Sequence, residues 1–367
     1  MIFYGIIYAF ACTYLTICKS LKPKNIKIFL FLLVLLFSLI AGIRYGIGTD
    51  YFYTYYPEYL SIKVGTGNYQ QNFDVGVYFI FWLCINLNLG FQFSLFLISF
   101  LTFSFFFLGL YNFFKDNWIA LFFGCITCLI FYFQLSFNIV RQVLAISTIF
   151  YAISLEKRIN GKKRYACQIL IMLLSFLFHK SSIIFIIFYL FKYFFSRKKF
   201  LIIQIIVFLT VIYLTIFNEN LVIILKILKL ESFSPYLKNV DLKITIGYII
   251  RLLPMILTII LLRKNIENDH MLYFSVFCFL IAYVLRLLAY NVENYDTVYA
   301  VASSQADRMA HYFMVFQLYI YSYLFGKRDK NDVTILLKII VISLILFIWI
   351  YDYGILNLNG TVPYKHI

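Results

Sequence analysis

Apolar runs recur along the sequence from Ile2 to Tyr351, with only short polar stretches between them. The chain is 63% hydrophobic and 13% charged, so it cannot surround a water-soluble core with a polar surface. Lipid is therefore the expected solvent. We predict an all-α fold, a polytopic transmembrane helix bundle that forms a single membrane domain over residues 1–367.

Helix length sets the number of expected spans, because about 20 apolar residues are needed to cross the ~30 Å hydrocarbon layer. On this rule the sequence predicts about twelve spans, at residues 2–18, 27–43, 92–111, 118–134, 138–155, 165–178, 182–196, 199–217, 244–262, 271–290, 308–325 and 333–351. The run 75–91 is interrupted by Asn86, Asn88 and Gly90. We predict that it forms an interfacial or re-entrant helix rather than a span.

Positive charge sets the predicted orientation. The net charge of +16 comes from clusters of Lys and Arg between apolar runs, not from one basic face, which argues against a nucleic-acid partner. With 75–91 left out as a span, the clusters at 19–27 and 157–164 share the cytoplasmic side. The loops 44–74, 218–243 and 291–307 then lie on the outer face. We expect the chemistry on this outer face.

Arginines are concentrated on the predicted outer face, where the positive-inside rule expects few. Five of the ten arginines lie there: Arg44, Arg141, Arg251, Arg286 and Arg308. An arginine at such a depth can also snorkel to headgroups or pair with a carboxylate, since burying its charge costs about 2.5–3.5 kcal/mol. As a set, the five indicate a polar cavity that binds pyrophosphate, because the guanidinium fork suits bidentate phosphate binding.

The same outer zone carries candidate bases. Its carboxylates are Asp50, Glu58, Asp74, Glu293, Asp296 and Asp307. His179 lies between two short predicted helices and is either a base or phosphate donor, or an interfacial cap for those helices. The aromatic run 50–56 is either a platform for sugar rings or part of an interfacial belt. The choice of base stays open at this level.

Three stretches of the outer face carry motifs. They are Arg44-Tyr45-Gly46-Ile47-Gly48-Thr49-Asp50-Tyr51 with Tyr55, the N-x-x-R-Q-x-x-A pattern from Asn138 to Ala145, and Phe178-His179-Lys180-Ser181-Ser182. In this combination and order the sequence resembles the EpsG-type, Wzy-like polysaccharide polymerases. Arg308 with Tyr312-Phe313, and Pro363-Tyr364, are also similar to that family. Lys180 departs from the pattern by adding a charge beside the histidine.

The resemblance implies an enzyme of O-antigen (lipopolysaccharide), capsule or exopolysaccharide assembly that joins repeat units carried on undecaprenyl pyrophosphate. Its expected location is a bacterial inner membrane, with the chemistry on the periplasmic face. The growing glycan would leave its lipid pyrophosphate for a hydroxyl of the next repeat unit, helped by cations and a base. We assign catalysis to Arg141, His179 and Asp50, with Asp50 favoured as the base and His179 as its rival. Binding of substrate and pyrophosphate is assigned to Arg44, Arg251, Arg286, Arg308, Tyr51, Tyr55 and Gln142.

We expect no metal and no cofactor, since the seven cysteines lie almost wholly in apolar runs and the outer loops carry no D-x-D motif. The expected partners are the lipid-linked oligosaccharide and membrane lipid, and the sequence leaves open whether a chain-length regulator takes part. Three other functions also stay open: a lipid-linked oligosaccharide flippase, an O-antigen ligase and a membrane acyltransferase. The concentration of charge near the outer face favours an enzyme over the flippase.

Overall fold

The structure is a computed structural model that describes residues 1–21, 26–65, 74–194, 246–290, 305–328 and 331–366. Within these ranges the fold is all-α, with no strand beyond an isolated bridge between Arg44 and His366. The α-helices in chain order are α1 (Ile2–Leu21), α2 (Ile26–Ile43), α3 (Tyr56–Val64), α4 (Val75–Asn86), α5 (Phe91–Phe114), α6 (Trp118–Cys128), α7 (Val140–Ser154), α8 (Lys162–Phe178), α9 (Ser182–Phe194), α10 (Ile246–Asn268), α11 (His270–Tyr290), α12 (Gln305–Met314), α13 (Gln317–Gly326) and α14 (Asp332–Trp349). Short π-helical stretches precede α3 and extend α6 and α14: Tyr51–Tyr55, Leu129–Phe133 and Ile350–Ile355.

Helices occupy the predicted span positions wherever the structure describes them, although 308–325 is divided between α12 and α13. The predicted span 199–217, the loop 218–243 and most of the loop 291–307 lie outside the described residues. Four described helical stretches are long and apolar enough to cross a membrane: Ile2–Leu21, Ile26–Ile43, Phe91–Phe114 and Asp332–Ile355. The protein is therefore a membrane protein, while the number of about twelve spans stays a prediction.

The interruption expected in the run 75–91 is present. The helix α4 is a short apolar helix that ends at Asn86, and Asn88 follows with a left-handed φ of 56°. Asparagine tolerates this conformation better than most residues because its short polar side chain can bond to nearby backbone. The sequence therefore stops this helix before it reaches the length of a span.

Two compact units can be distinguished, and each is described by itself. The first comprises residues 1–182, 260–262 and 318–367, and the second comprises 183–259 and 263–317. In the first unit, α7 is buried almost along its whole length and packs against α5 and α8. Gly109 of α5 permits this closeness, because a Cβ there would lie 2.8 Å from the ring of Phe150. The result is a tightly held helix whose first turn carries Arg141.

Candidate active site

A buried carboxylate, Asp74, lies at the centre of a polar cluster in the first unit. Its Oδ2 accepts a hydrogen bond from Arg141 Nη1 at 3.0 Å and lies 2.8 Å from His179 Nδ1. Its Oδ1 accepts from the backbone N–H of Lys180 at 3.1 Å. The Asp74 side chain is 4% exposed, whereas those of Arg141 and His179 are 20% and 19% exposed. Two residues predicted as catalytic are thus joined by a third that the sequence did not single out.

Helix ends and one glycine bring this cluster together. Asp74 is the N-cap of α4, where a negative charge is favourable, and His179 is the extended residue directly after α8. Gly76 lets the two ends meet, because a Cβ there would lie 2.6 Å from the ring of Phe178 and 3.0 Å from the carbonyl oxygen of Leu177. A larger residue at this position would push α4 away from α8 and separate the carboxylate from the imidazole.

The charges of the cluster set its protonation. Burial raises the pKa of Asp74, but the hydrogen bond and charge of His179, the charge of Arg141 and the Lys180 N–H together hold this pKa below its ordinary value. Asp74 is therefore ionised at neutral pH and accepts a hydrogen bond from Nδ1 of His179. In the neutral imidazole, this bond places the proton on Nδ1 and leaves the lone pair on Nε2. Among the described residues, nothing hydrogen-bonds to that Nε2.

Arg44 forms a second buried cationic group. It is 1% exposed, and its guanidinium carbon lies 4.7 Å from the centre of the Phe137 ring. Its Nη1 donates to the carbonyl oxygen of Ala41 at 2.7 Å, whereas its Nε has no hydrogen-bond partner among the described residues. Burial lowers the pKa of Arg44 to about 10, so the group is still charged at neutral pH. Arg44 is therefore a buried cation next to Phe137, and its role in binding pyrophosphate stays a prediction.

The two tyrosines predicted as sugar contacts are also buried. The hydroxyl of Tyr51 accepts from Gln92 Nε2 at 2.7 Å, and Tyr55 interacts with Arg141. Both tyrosines lie near Arg44 as well. Their rings are buried next to the two arginines, and their role as sugar contacts stays a prediction.

Asn138 joins the loop after α2 to the start of α7. Its Oδ1 accepts from the Thr49 hydroxyl and, at 3.0 Å, from the backbone N–H of Asp50. Gly48 makes this approach possible, since it adopts a φ of 92° and a Cβ there would overlap the carbonyl oxygen of the residue before Asn138. Gln142, on the first turn of α7, is buried. The first two motifs therefore form one connected structure, with Asp50 held by its backbone.

Glu58 is a further carboxyl group of the site that the sequence did not select. It lies on α3, is 5% exposed and interacts electrostatically with Arg141. Burial raises its pKa, and its Oε1 has no hydrogen-bond partner among the described residues. In the sequence, Glu58 and Asp74 are two of several outer carboxylates. The position of Asp74 just before an apolar run is the only local hint that it caps a helix.

The three motif stretches thus meet in one unit, around one carboxylate. A model of the EpsG family matches residues 27–366. The chain belongs to the EpsG family. This confirms the resemblance seen in the motifs and assigns the chain to membrane proteins of the polysaccharide polymerase type, with glycosyltransferase-like activity. Comparisons with curated proteins and with solved structures found no match.

The remaining predicted arginines of this EpsG-family protein lie in the second unit. Arg286 Nε pairs with Asp307 Oδ1 at 2.9 Å, and His311 Nε2 lies 3.4 Å from Asp307 Oδ2. Arg251 donates to the carbonyl oxygen of Gly247 at 3.2 Å. Arg308 is half-buried on α12. The structure therefore brings Arg286 to a carboxylate, and the binding roles of these arginines stay predictions.

The residues that the structure describes include no group of three or more His, Cys, Asp or Glu side chains that could hold a metal ion. Cys125 and Cys128, which form the one C-x-x-C of the sequence, are buried and not bonded to each other. Metal independence stays a prediction.

Proposed function

We propose that this EpsG-family protein polymerises oligosaccharide repeat units carried on undecaprenyl pyrophosphate, at the outer face of a bacterial inner membrane. The product would be an O-antigen, a capsule or an exopolysaccharide. The observation that carries the proposal is the cluster of Asp74, Arg141 and His179. It supplies an oriented base and a fixed cation, the two groups that glycosyl transfer from a pyrophosphate requires.

His179 is the base in this proposal. Its Nε2 takes the proton of the acceptor hydroxyl as that oxygen attacks the anomeric carbon of the growing glycan. Asp74 holds the ring through Nδ1 and stabilises the imidazolium that forms. Asp50 is the base that the sequence favours, and its backbone N–H donates to Asn138 Oδ1 at 3.0 Å. The bond of His179 to a buried carboxylate is the observation that favours His179 as the base in this proposal.

Arg141 stabilises the leaving group. The bond between the anomeric carbon and the pyrophosphate oxygen breaks as the new glycosidic bond forms, and negative charge develops on the lipid pyrophosphate. The guanidinium is held at a buried helix start by Asp74 and Tyr55, yet it keeps 20% of its side chain exposed. A cation held in advance of the reaction costs no reorganisation when that charge appears.

The surface glycan of the native host tests the proposal. The gene is deleted and restored as wild type, as Arg141→Ala or as Arg158→Ala, and glycans are separated on a gel. Arg158 is the matched control, because it is an exposed arginine just beyond the opposite end of α7. We expect the wild type and Arg158→Ala to restore a ladder, and Arg141→Ala to leave single-repeat glycans on the anchor.

Other outcomes would contradict the proposal. Loss of all surface glycan on deletion would indicate a flippase or a ligase, and a full ladder that lacks only an acyl group would indicate an acyltransferase. A normal ladder from Arg141→Ala, at wild-type protein level, would exclude the site assigned here.

A further inference from the structure

The segment 357–366, which follows the π-helical end of α14, packs against the motif loop 44–50. Tyr45 N donates to the carbonyl oxygen of Lys365 at 3.1 Å, and Gly48 N donates to that of Gly360 at 3.3 Å. Arg44 and His366 form an antiparallel bridge. Each end of the motif loop is therefore paired with residues more than 300 positions away in the sequence.

This segment has a defined shape of its own. The Asn357 side chain closes a turn, since its Nδ2 donates to the carbonyl oxygen of Val362 at 2.9 Å and its Oδ1 accepts from Val362 N at 3.0 Å. Asn357, Asn359 and Gly360 have left-handed φ angles of 46°, 67° and 59°. Asparagine and glycine are the residues that tolerate this conformation best. The sequence from Asn357 to Gly360 therefore builds a fixed turn.

The turn presents two side chains to the rest of the first unit. Asn359 Oδ1 accepts from Asn138 Nδ2 at 3.1 Å. Thr361 Oγ1 accepts from Gln134 Nε2 at 3.0 Å, and the Thr361 carbonyl oxygen accepts from the Tyr4 hydroxyl at 2.7 Å. Thr361 is fully buried, whereas Asn359 is half-buried. Thr361 is thus an anchor of the turn, and Asn359 is its contact with the motif residue Asn138.

Asn359 holds the Asn138 amide in the orientation that the Asp50 N–H requires. The Oδ1 of Asn138 must point to Thr49 and to the Asp50 N–H, both of which donate to it. Its Nδ2 then requires an acceptor, and Asn359 provides one. Without that acceptor, the buried amide loses a partner, and a flipped amide would set its own donors against the Asp50 N–H. Through Asn138, the contact reaches the turn of chain that leads into Arg141.

We propose that Asn359 is a positioning residue of the active site. It fixes the Asn138 amide, and Asn138 then aligns the loop 44–50 with the start of α7, where Arg141 faces Asp74. The inference rests on the proposed function for its effect on polymer synthesis, but its structural part does not.

Two variants separate the hydrogen bond from the backbone shape. Asn359→Gly keeps the left-handed φ and removes the acceptor, whereas Asn359→Asp keeps an acceptor for Asn138 Nδ2. Asn88→Gly is the matched control, because Asn88 also has a left-handed φ, of 56°, but is exposed and makes no side-chain hydrogen bond among the described residues. Each variant is compared with the wild-type full chain at equal protein level.

The first readout is hydrogen exchange of backbone amides in the purified full-length protein. We expect Asn359→Gly to speed exchange in 44–50 and at the start of α7, with the rest of the first unit unchanged. The second readout is the rate at which the glycan ladder forms in the native host. We expect this rate to fall on the order of tenfold in Asn359→Gly, to recover in Asn359→Asp and to stay normal in Asn88→Gly.

Several outcomes would count against a part of this proposal. Unchanged exchange and a normal ladder rate in Asn359→Gly would overturn the inference. Faster exchange throughout the first unit, or no recovery in Asn359→Asp, would also overturn it, because Asn359 would then be a general support of the fold. If exchange becomes faster only in 44–50 and at the start of α7, but even the wild type forms no ladder in the host, the proposed polymerase is refuted. The role of Asn359 in positioning is then upheld.

Discussion

Replacing Asp74 with asparagine removes the charge at the centre of the cluster and keeps the side-chain volume. The wild-type carboxylate accepts from Arg141, His179 and the Lys180 N–H. Removing one partner of a buried ion pair costs about 3–5 kcal/mol. Because the side chains of Arg141 and His179 are 20% and 19% exposed and can be hydrated, we expect a smaller loss of unfolding free energy, about 1–3 kcal/mol.

The loss of stability should depend on pH in a defined direction. The pKa of Asp74 is held below its ordinary value, so the carboxylate stabilises the fold above its unfolded pKa of about 3.9. That contribution is lost as the pH falls through the lower pKa of the folded state. The difference in thermal stability between wild type and Asp74→Asn should therefore be full at neutral pH and shrink below about pH 4.

The loss of activity should be larger than the loss of stability suggests. A neutral amide cannot stabilise the imidazolium of His179 and does not select its tautomer, and in serine proteases the equivalent change lowers kcat by about 10⁴. We expect the rate of ladder formation per molecule of folded protein to fall by about 10²–10⁴. The control is Asp116→Asn, since Asp116 is 88% exposed and lies 3.9 Å from Lys115. Wild-type polymer from folded Asp74→Asn, or an equal loss in the control, would refute the role of the cluster.

Three further predictions follow from the same geometry. Gly65→Ala should lower the free energy of unfolding by about 1 kcal/mol, because Gly65 has a φ of 74° and no described atom lies within 4 Å of an added Cβ. Gly48→Ala should cost about 1–3 kcal/mol more in thermal unfolding, because its Cβ would overlap the Phe137 carbonyl oxygen, and equal costs would contradict this packing. Burial raises the pKa of Glu58, so its contribution to stability is lost as the pH rises. Glu58→Gln should therefore raise the free energy of unfolding by about 1 kcal/mol at pH 8 and leave it unchanged near pH 4. A variant that is less stable than wild type at pH 8 would contradict this, because the carboxylate would then have a stabilising partner. Chelation of divalent ions should leave the polymerisation rate of washed membranes unchanged, and a loss restored by added metal would overturn metal independence.

Local sequence was sufficient to predict the described helices except α3, which lies in the predicted loop 44–74. Apolar runs such as 92–111 and 333–351 became α5 and α14, because a run of this length can satisfy its backbone in lipid only as a helix. The stop within 75–91 was also visible, since Asn88 and Gly90 mark the end of α4. The division of 308–325 at Val315 was not, because no proline or glycine marks it.

The motif residues Arg141 and His179 were also recognisable from sequence, but their partner was not. Asp74 is 67 positions from Arg141 and 105 from His179, and several outer carboxylates look alike in the sequence. Only the close approach of α4 to α8 at Gly76 selects this one.

The sequence by itself therefore determined that this is a membrane protein, most of its described helices, its family and two members of its candidate site. Each of these is encoded in short stretches of neighbouring residues. The tertiary structure decided the pairing of Asp74, the burial of Arg44 and the contact of Asn359 with Asn138. Those features depend on side chains that are far apart along the chain, and a hydrogen bond between them exists only once packed helices have brought donor and acceptor within about 3 Å.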